Sequence, residues 1–254
     1  MIKTTLISSK SNSNLKRWLS LLESQGIKKH KQFLIFGEKA VNETLESFPD
    51  QAIELITASK LQLPRKSSLP IFECGKSLFN EIDIFHTNSP ILVARTFDIP
   101  PMDLNTPAKK LEIVCPFGDP RNLGSLIRSA HSFGISKIIL LQDAANPFLP
   151  QSVRAASGSL FHVNFFKGPR LKDLTAFTQS PQFYALDFGG ANVNKFVWPL
   201  DLRLVLGEEG PGLSETKFSN LITIPLKKTA NSLNAATAAA IALFSYRAQH
   251  ALLD

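Results

Sequence analysis

Three short segments gather residue types suited to catalysis or small-molecule binding. The first, Pro116-Phe117-Gly118-Asp119-Pro120-Arg121-Asn122-Leu123-Gly124, runs into a helix-like stretch carrying Arg128. Gly118 and Gly124 permit tight backbone paths, and Asn122 can cap the helix by accepting an orphan N–H. Arg128, among Leu126, Ile127 and Ala130, is either a rim salt-bridge partner or an anion-binding group. The second segment, Gly207-Glu208-Glu209-Gly210-Pro211-Gly212, is either a plain glycine turn or a place where a ligand approaches the backbone closely. It lacks the Gly-Lys-Ser/Thr of a phosphate loop, and its two acids suit hydroxyls, amines or a cation. The third passes from Ile224-Pro225-Leu226 through Ser232-Leu233-Asn234 into a helix with alanines at 235, 236, 238, 239, 240 and 242. Asn234 there is a cap or a ligand contact.

Each segment comes after an apolar run. Runs at 111–115, 137–141, 162–166, 183–186, 202–206 and 221–226 read as buried strands. Helix-like stretches lie at 123–133, 152–157, 171–178 and 214–219, and a long alanine-rich helix runs over 232–252. Strands alternating with helices predict an α/β domain with a mostly parallel sheet covered on both faces. Ligands of such sheets sit beyond the carboxyl ends of the strands, which is where the three segments fall.

Residues 1–100 read as a small α/β unit. A helix carries Leu15, Trp18, Leu19 and Leu22, with Lys16 and Arg17 on its other face. A second helix spans 39–47, and short strands fit 33–36, 53–57 and 91–94. Proline-rich residues 101–110 are the linker candidate, leaving 111–254 as the second domain. The net charge is +7. Residues 1–40 hold eight bases, including Lys28, Lys29 and Lys31, against two acids, as a polyanion-binding face would. Trp18 is a core residue rather than a base-stacking platform. The two cysteines, Cys74 and Cys115, show no zinc spacing, and His131 and His162 no metal-spaced partners; no metal is expected. No secretory apolar segment opens the sequence, and its most apolar stretch, 235–244, falls short of the ~20 residues that span a bilayer. A cytoplasmic chain without membrane association is expected.

Taken together and in order, 122–130 (NLGSLIRSA), 206–214 (LGEEGPGLS) and 224–241 (IPL…SLNAATAAAI) resemble the SpoU-type, TrmH-like RNA 2′-O-methyltransferases of the SPOUT superfamily. Arg154-Ala-Ala-Ser-Gly158 is similar to a further family segment. Residues 33–45 (FLIFGEKAVNETL) resemble the small RNA-binding domain often found ahead of that catalytic domain.

The resemblance implies a parallel sheet with a C-terminal trefoil knot, a homodimer, and methyl transfer from S-adenosyl-L-methionine to a ribose 2′-hydroxyl. Ribosomal RNA is favoured over transfer RNA as substrate. It implies cofactor contacts at Gly207, Ile224, Leu226 and Leu233, catalytic roles for Asn122, Arg128, Glu209 and Asn234, and RNA contacts at Lys16, Arg17, Lys28, Lys29, Lys31, Arg121 and Arg154. Two positions depart from the family pattern: Glu208 adds a negative charge, and Ala236 replaces a serine. Two rivals are a Rossmann methyltransferase, for which 115–124 lacks the Gly-x-Gly loop, and an RNA-binding relative that has lost catalysis.

Overall fold

The computed structural model describes residues 4–58, 69–207, 213 and 216–250. The chain divides into two compact units, residues 1–98 with 146–161, and residues 99–145 with 162–254. In chain order the elements are β1 (Thr4–Ile7), α1 (Ser13–Ser20), α2 (Ser24–His30), β2 (Gln32–Ile35), α3 (Glu38–Ser47), β3 (Ala52–Ala58), β4 (Ile71–Cys74), α4 (Lys76–Ile82) and β5 (Ile91–Arg95). Then come β6 (Leu111–Cys115), α5 (Pro120–Ser132), β7 (Lys137–Leu140), α6 (Pro150–Ala156), β8 (Asn164–Lys167), β9 (Phe183–Asn192), β10 (Leu202–Leu206), β11 (Leu221–Thr223) and α7 (Ala235–His250).

The first unit is a mixed sheet in the order β1-β4-β3-β5-β2. Strand alternation assigns its faces. Leu34 and Phe36 enter a core with Trp18, Ile56 and Phe79. Phe33 turns to the opposite face, where its ring lies 5.1 Å from that of Phe148 and 6.0 Å from that of Phe161. These contacts draw residues 146–161 into this unit, although the sequence pattern groups them with 111–254. Trp18 is fully buried, and its Nε1 donates to Glu54 Oε1 at 2.6 Å. Arg17 Nη2 donates to the same oxygen at 2.6 Å. Arg17, expected from the resemblance as an RNA contact, is thus engaged with Glu54. A buried carboxylate must be paired, and Arg17 is the pairing cation. Burial, with Glu73 beside it, pushes the Cys74 thiol up to about 11, so this cysteine is a core residue and a poor nucleophile.

The second unit is a six-stranded sheet in the order β11-β9-β10-β6-β7-β8, every neighbouring pair parallel. The central strands β6 and β10 are buried along their whole length, as strands covered on both faces must be. At their starts Glu112 and Arg203 are both fully buried. Arg203 Nε donates to Glu112 Oε2 at 2.8 Å, Nη1 to the Leu104 carbonyl at 2.6 Å and Nη2 to the Thr106 carbonyl at 2.8 Å. Lys137 Nζ binds the other oxygen of Glu112. The proline-rich segment expected as a linker is thus held onto the sheet of this unit, with Leu104 and Ala108 buried. At the far end of the chain α7 is held by Trp198 Nε1 to Ser245 Oγ at 3.0 Å and Tyr246 Oη to the Leu200 carbonyl at 2.7 Å.

Strands expected at 111–115 and 202–206 form at those bounds. Residues 171–177 form 3₁₀ helix rather than α. The 221–226 strand stops at Thr223, because Pro225 has no N–H to give a ladder. Of the expected 214–219 helix, residues 214 and 215 lie outside the described residues, and 216–219 are not helical. β1, β4, α2 and α4 were not foreseen: all four are seven residues or shorter, and β1 has one buried side chain in four.

Arg203→Ala is expected to cost about 3–5 kcal/mol, because it strips the main partner from a buried carboxylate. Calorimetric unfolding checks this, and a loss under about 1 kcal/mol would show that Lys137 and the Lys109 N–H, which donates to Glu112 Oε1 at 3.1 Å, satisfy Glu112 without Arg203.

Candidate active site

Three strand ends and one helix start enclose a cavity of about 380 Å³ in the second unit. β9 contributes Leu186, Asp187 and Phe188. β10 contributes Leu206 and, just past its end, Gly207. β11 contributes Thr223, with Ile224 and Leu226 beyond it. The approach to α7 contributes Asn231, Ser232 and Leu233, and the helix itself Ala235 and Ala238. Gly207, Ile224, Leu226 and Leu233, singled out from sequence as cofactor contacts, all line it. The β9 residues were missed, because the 183–186 run ends before Asp187 and no motif marks residues 187 and 188.

Beside this cavity two helix starts are joined. Asp119 caps α5, its side chain accepting from the N–H groups of Arg121 and Asn122 at 2.6 and 3.4 Å, with Pro120 in the first helical position. Asn122 is therefore not the cap, as the sequence allowed, but the third helical residue. Asn122 Oδ1 instead accepts from Asn234 Nδ2 at 2.9 Å. Asn234 Oδ1 accepts from the Thr237 N–H at 3.1 Å, so the other end of that amide caps α7. Two expected catalytic residues 112 positions apart thus meet. Ala236, where the family pattern has serine, is buried; the hydroxyl of this turn belongs to Thr237, whose Oγ1 lies 3.4 Å from Asn234 Oδ1.

Arg128 is exposed and has no hydrogen bond or ion pair among the described residues. It lies six positions after Asn122, about 120° round the helix at 100° per residue, and shares a face with Arg121. No hydrogen bond among the described residues joins it to the Asn122–Asn234 pair. Glu208 and Glu209 lie outside the described residues.

Arg121 Nη2 pairs with Asp119 at 2.9 Å. That hydrogen bond holds the Asp119 carboxyl below its usual range, keeping the helix cap ionised. Lys16, Lys28, Lys29 and Lys31 are exposed. Lys28 and Lys29 lie in the last turn of α2 and Lys31 directly follows it, where cations also complement the helix dipole. In the first unit Arg154 borders a cleft with Gly37, Lys39, Thr87 and Ser89. Gly37 has φ +91°, and a Cβ there would lie 2.5 Å from Arg154 Nη1, so that position needs glycine. His131 and His162 stack with ring centroids 4.1 Å apart. Among the described residues there is no group of three or more His, Cys, Asp or Glu arranged for a metal, and no helix long and apolar enough to cross a membrane.

An all-parallel sheet with a cavity beyond its strand ends, beside paired asparagines, is the α/β architecture in which ligand sites form from the loops after the strands. The chain belongs to the SpoU rRNA Methylase family, whose model matches residues 113–244. It is 34% identical over 247 residues to the Ribosomal RNA small subunit methyltransferase G 2 of Syntrophobacter fumaroxidans, with 94% of this chain but 48% of that protein covered. The 23S rRNA (guanosine(2553)-2′-O)-methyltransferase RlmP of Bacillus subtilis is 28% identical, with 95% and 98% covered. The crystal structure of the SpoU methyltransferase AviRb from Streptomyces viridochromogenes superposes with a TM-score of 0.75 at 25% identity, with 94% and 98% covered. The chain therefore spans about half of the first relative and nearly all of the second.

Asn234→Ala removes a helix cap and the bridge to α5 together, and is expected to cost about 1–2 kcal/mol. Asn234→Asp keeps the cap acceptor and should recover part of that. Thermal unfolding of both variants checks the pair, and equal stability of Asn234→Ala and wild type would remove the bridge's structural role.

Proposed function

We propose that this protein transfers the methyl group of S-adenosylmethionine to a ribose 2′-hydroxyl of ribosomal RNA. The observation that carries the reading is the cavity lined by Gly207, Ile224, Leu226 and Leu233, set beside the Asn122–Asn234 bridge. The cavity suits the cofactor in size, in its apolar walls, and in offering an acid rather than a phosphate cradle to a cationic molecule. Family membership and the names of the relatives above support the RNA substrate and favour ribosomal over transfer RNA.

The cofactor, when bound, supplies an electrophilic methyl on a sulfonium centre. The protein's task is then positioning and handling the hydroxyl proton. Asn122 and Asn234 fix the starts of α5 and α7 around the donor. Arg128 cannot serve as a base, since a guanidinium carries donors only and does not give up its proton in proteins. It binds a phosphate of the substrate strand and orients the 2′-oxygen. Glu209 is assigned to orienting Arg128. Lys16, Lys28, Lys29 and Lys31, with Arg121 and Arg154, hold the RNA backbone by sequence-independent charge. A homodimer, with α7 and its exposed Phe244 at the boundary, a knotted chain path, and a cytoplasmic location complete the reading.

Tritiated S-adenosylmethionine incubated with RNA from a strain lacking the gene is expected to label ribosomal RNA on ribose. Label on bases, or in transfer RNA alone, overturns the assignment. Arg128→Ala should reduce transfer by roughly a hundredfold or more, the loss of one positioning and charge contact at the reacting centre, with cofactor affinity and melting temperature retained; full activity removes its role. Changing Lys28, Lys29 and Lys31 together to Ala should weaken RNA binding and flatten its salt dependence, whereas an unchanged slope leaves the cluster only its interaction with the helix dipole.

A further inference from the structure

β9 leaves the regular ladder where it borders the cavity. Leu221 of β11 pairs with Ala185, yet the next residue, Ile222, pairs with Ala191. Residues 186–190 are therefore an excursion along that edge, larger than an ordinary bulge. The excursion is fixed at both ends by one side chain. Thr223 Oγ1 donates to the Asp187 carbonyl at 2.5 Å and accepts from the Gly190 N–H at 2.7 Å. Two glycines make the path possible. Gly189 has φ +79°, and a Cβ on Gly190 would lie 2.3 Å from the Leu221 backbone. A costly local path held this way is a feature to be explained by what it presents.

What it presents is Asp187 and Phe188, both lining the cavity. Asp187 supplies the one ionisable side chain among the described lining residues, the rest being apolar, small or neutral. One of its oxygens accepts from the Phe188 N–H at 2.7 Å, which fixes the carboxylate. The Phe188 ring remains 60% exposed. We infer that Asp187 is a specificity-determining residue for the adenosine half of the cofactor, its carboxylate accepting hydrogen bonds from the ribose hydroxyls. The inference rests on the cofactor reading above. Three features favour the ribose over the ammonium of the methionine tail. Asp187 sits between apolar Leu186 and the aromatic Phe188, beside the wall formed by Leu206 and Ile224, which suits a base. A vicinal diol offers two donors to a carboxylate that has only acceptors. And an acid at the carboxyl end of a parallel strand is a recurrent solution for binding ribose hydroxyls. Thr223 acts through Asp187 and is a positioning residue.

The test is calorimetric binding of S-adenosylhomocysteine and its 3′-deoxyribose analogue to the full chain. Wild type should bind the parent compound, and the analogue roughly tenfold or more weakly, the loss from leaving a fixed carboxylate short of a donor. Asp187→Ala should bind the parent roughly tenfold more weakly and no longer distinguish the two ligands. Asp187 is half-exposed, so the unliganded melting temperature of the variant should match wild type. Thr223→Val should lose part of the same discrimination. If wild type binds neither compound, the cofactor reading fails. If wild type binds and Asp187→Ala keeps full discrimination, the cofactor reading stands and this inference is overturned.

Discussion

All neighbouring strands of the second sheet run parallel, and the arrangement of the site depends on that. No two of them can be joined by a hairpin, so each connection must cross the sheet. The carboxyl ends of β9, β10 and β11 then fall along one edge, and the loops leaving those strands meet there. Segments that are remote and individually weak as signals, Gly207, Ile224-Pro225-Leu226 and Ser232-Leu233-Asn234, become one wall. The helix starts obey the same geometry. α5 and α7 both begin at that edge, and a single carboxamide, Asn234, serves both by capping one helix and bridging to Asn122 on the other. The capping of α5 by Asp119 is what leaves Asn122 available for this bridge.

The opposite edge of the sheet carries the counterweight. A glutamate and an arginine buried at the starts of adjacent central strands would be a liability if either were alone. Here three hydrogen bonds of Arg203 and the flanking Lys137 leave neither without a partner. Such a pair adds little net stability compared with apolar residues of similar size. What it adds is direction: Arg203 can satisfy its remaining donors only if the chain before β6 lies across it, at Leu104 and Thr106. The proline-rich stretch is thereby committed to one path.

Legibility from sequence tracked how much each feature depends on local pattern. The strands β6 and β10 are continuous apolar runs and were readable, as were Trp18 as core and the four cavity residues carried by family motifs. The features that escaped depend on distant partners. Arg17 reads as a surface cation because its helical face is polar; only the fold brings Glu54 under it. Asn122 reads as a cap because asparagine is a favoured capping type; its actual partner, Asn234, lies 112 positions away, although Pro120, favoured at a first helical position, is a local sign that the cap is Asp119. Phe33 and Phe148 read as separate apolar residues, and nothing short of their meeting assigns 146–161 to the first unit.

The excursion at 186–190 shows the same limit from the other side. Asp187-Phe188-Gly189-Gly190 reads as the frayed end of a strand, with two glycines as a turn. Its meaning depends on Thr223, more than thirty residues later, whose hydroxyl closes both ends of the excursion. A glycine that must lie against the Leu221 backbone and a threonine that makes two hydrogen bonds are constraints on backbone path, not on packing. Since neither improves the core, their effect is to hold a carboxylate and an aromatic ring at the cavity edge. Fixed polar groups cost no reorganisation when a ligand arrives, and the parallel sheet places this fixed pair at the same edge as the asparagine bridge.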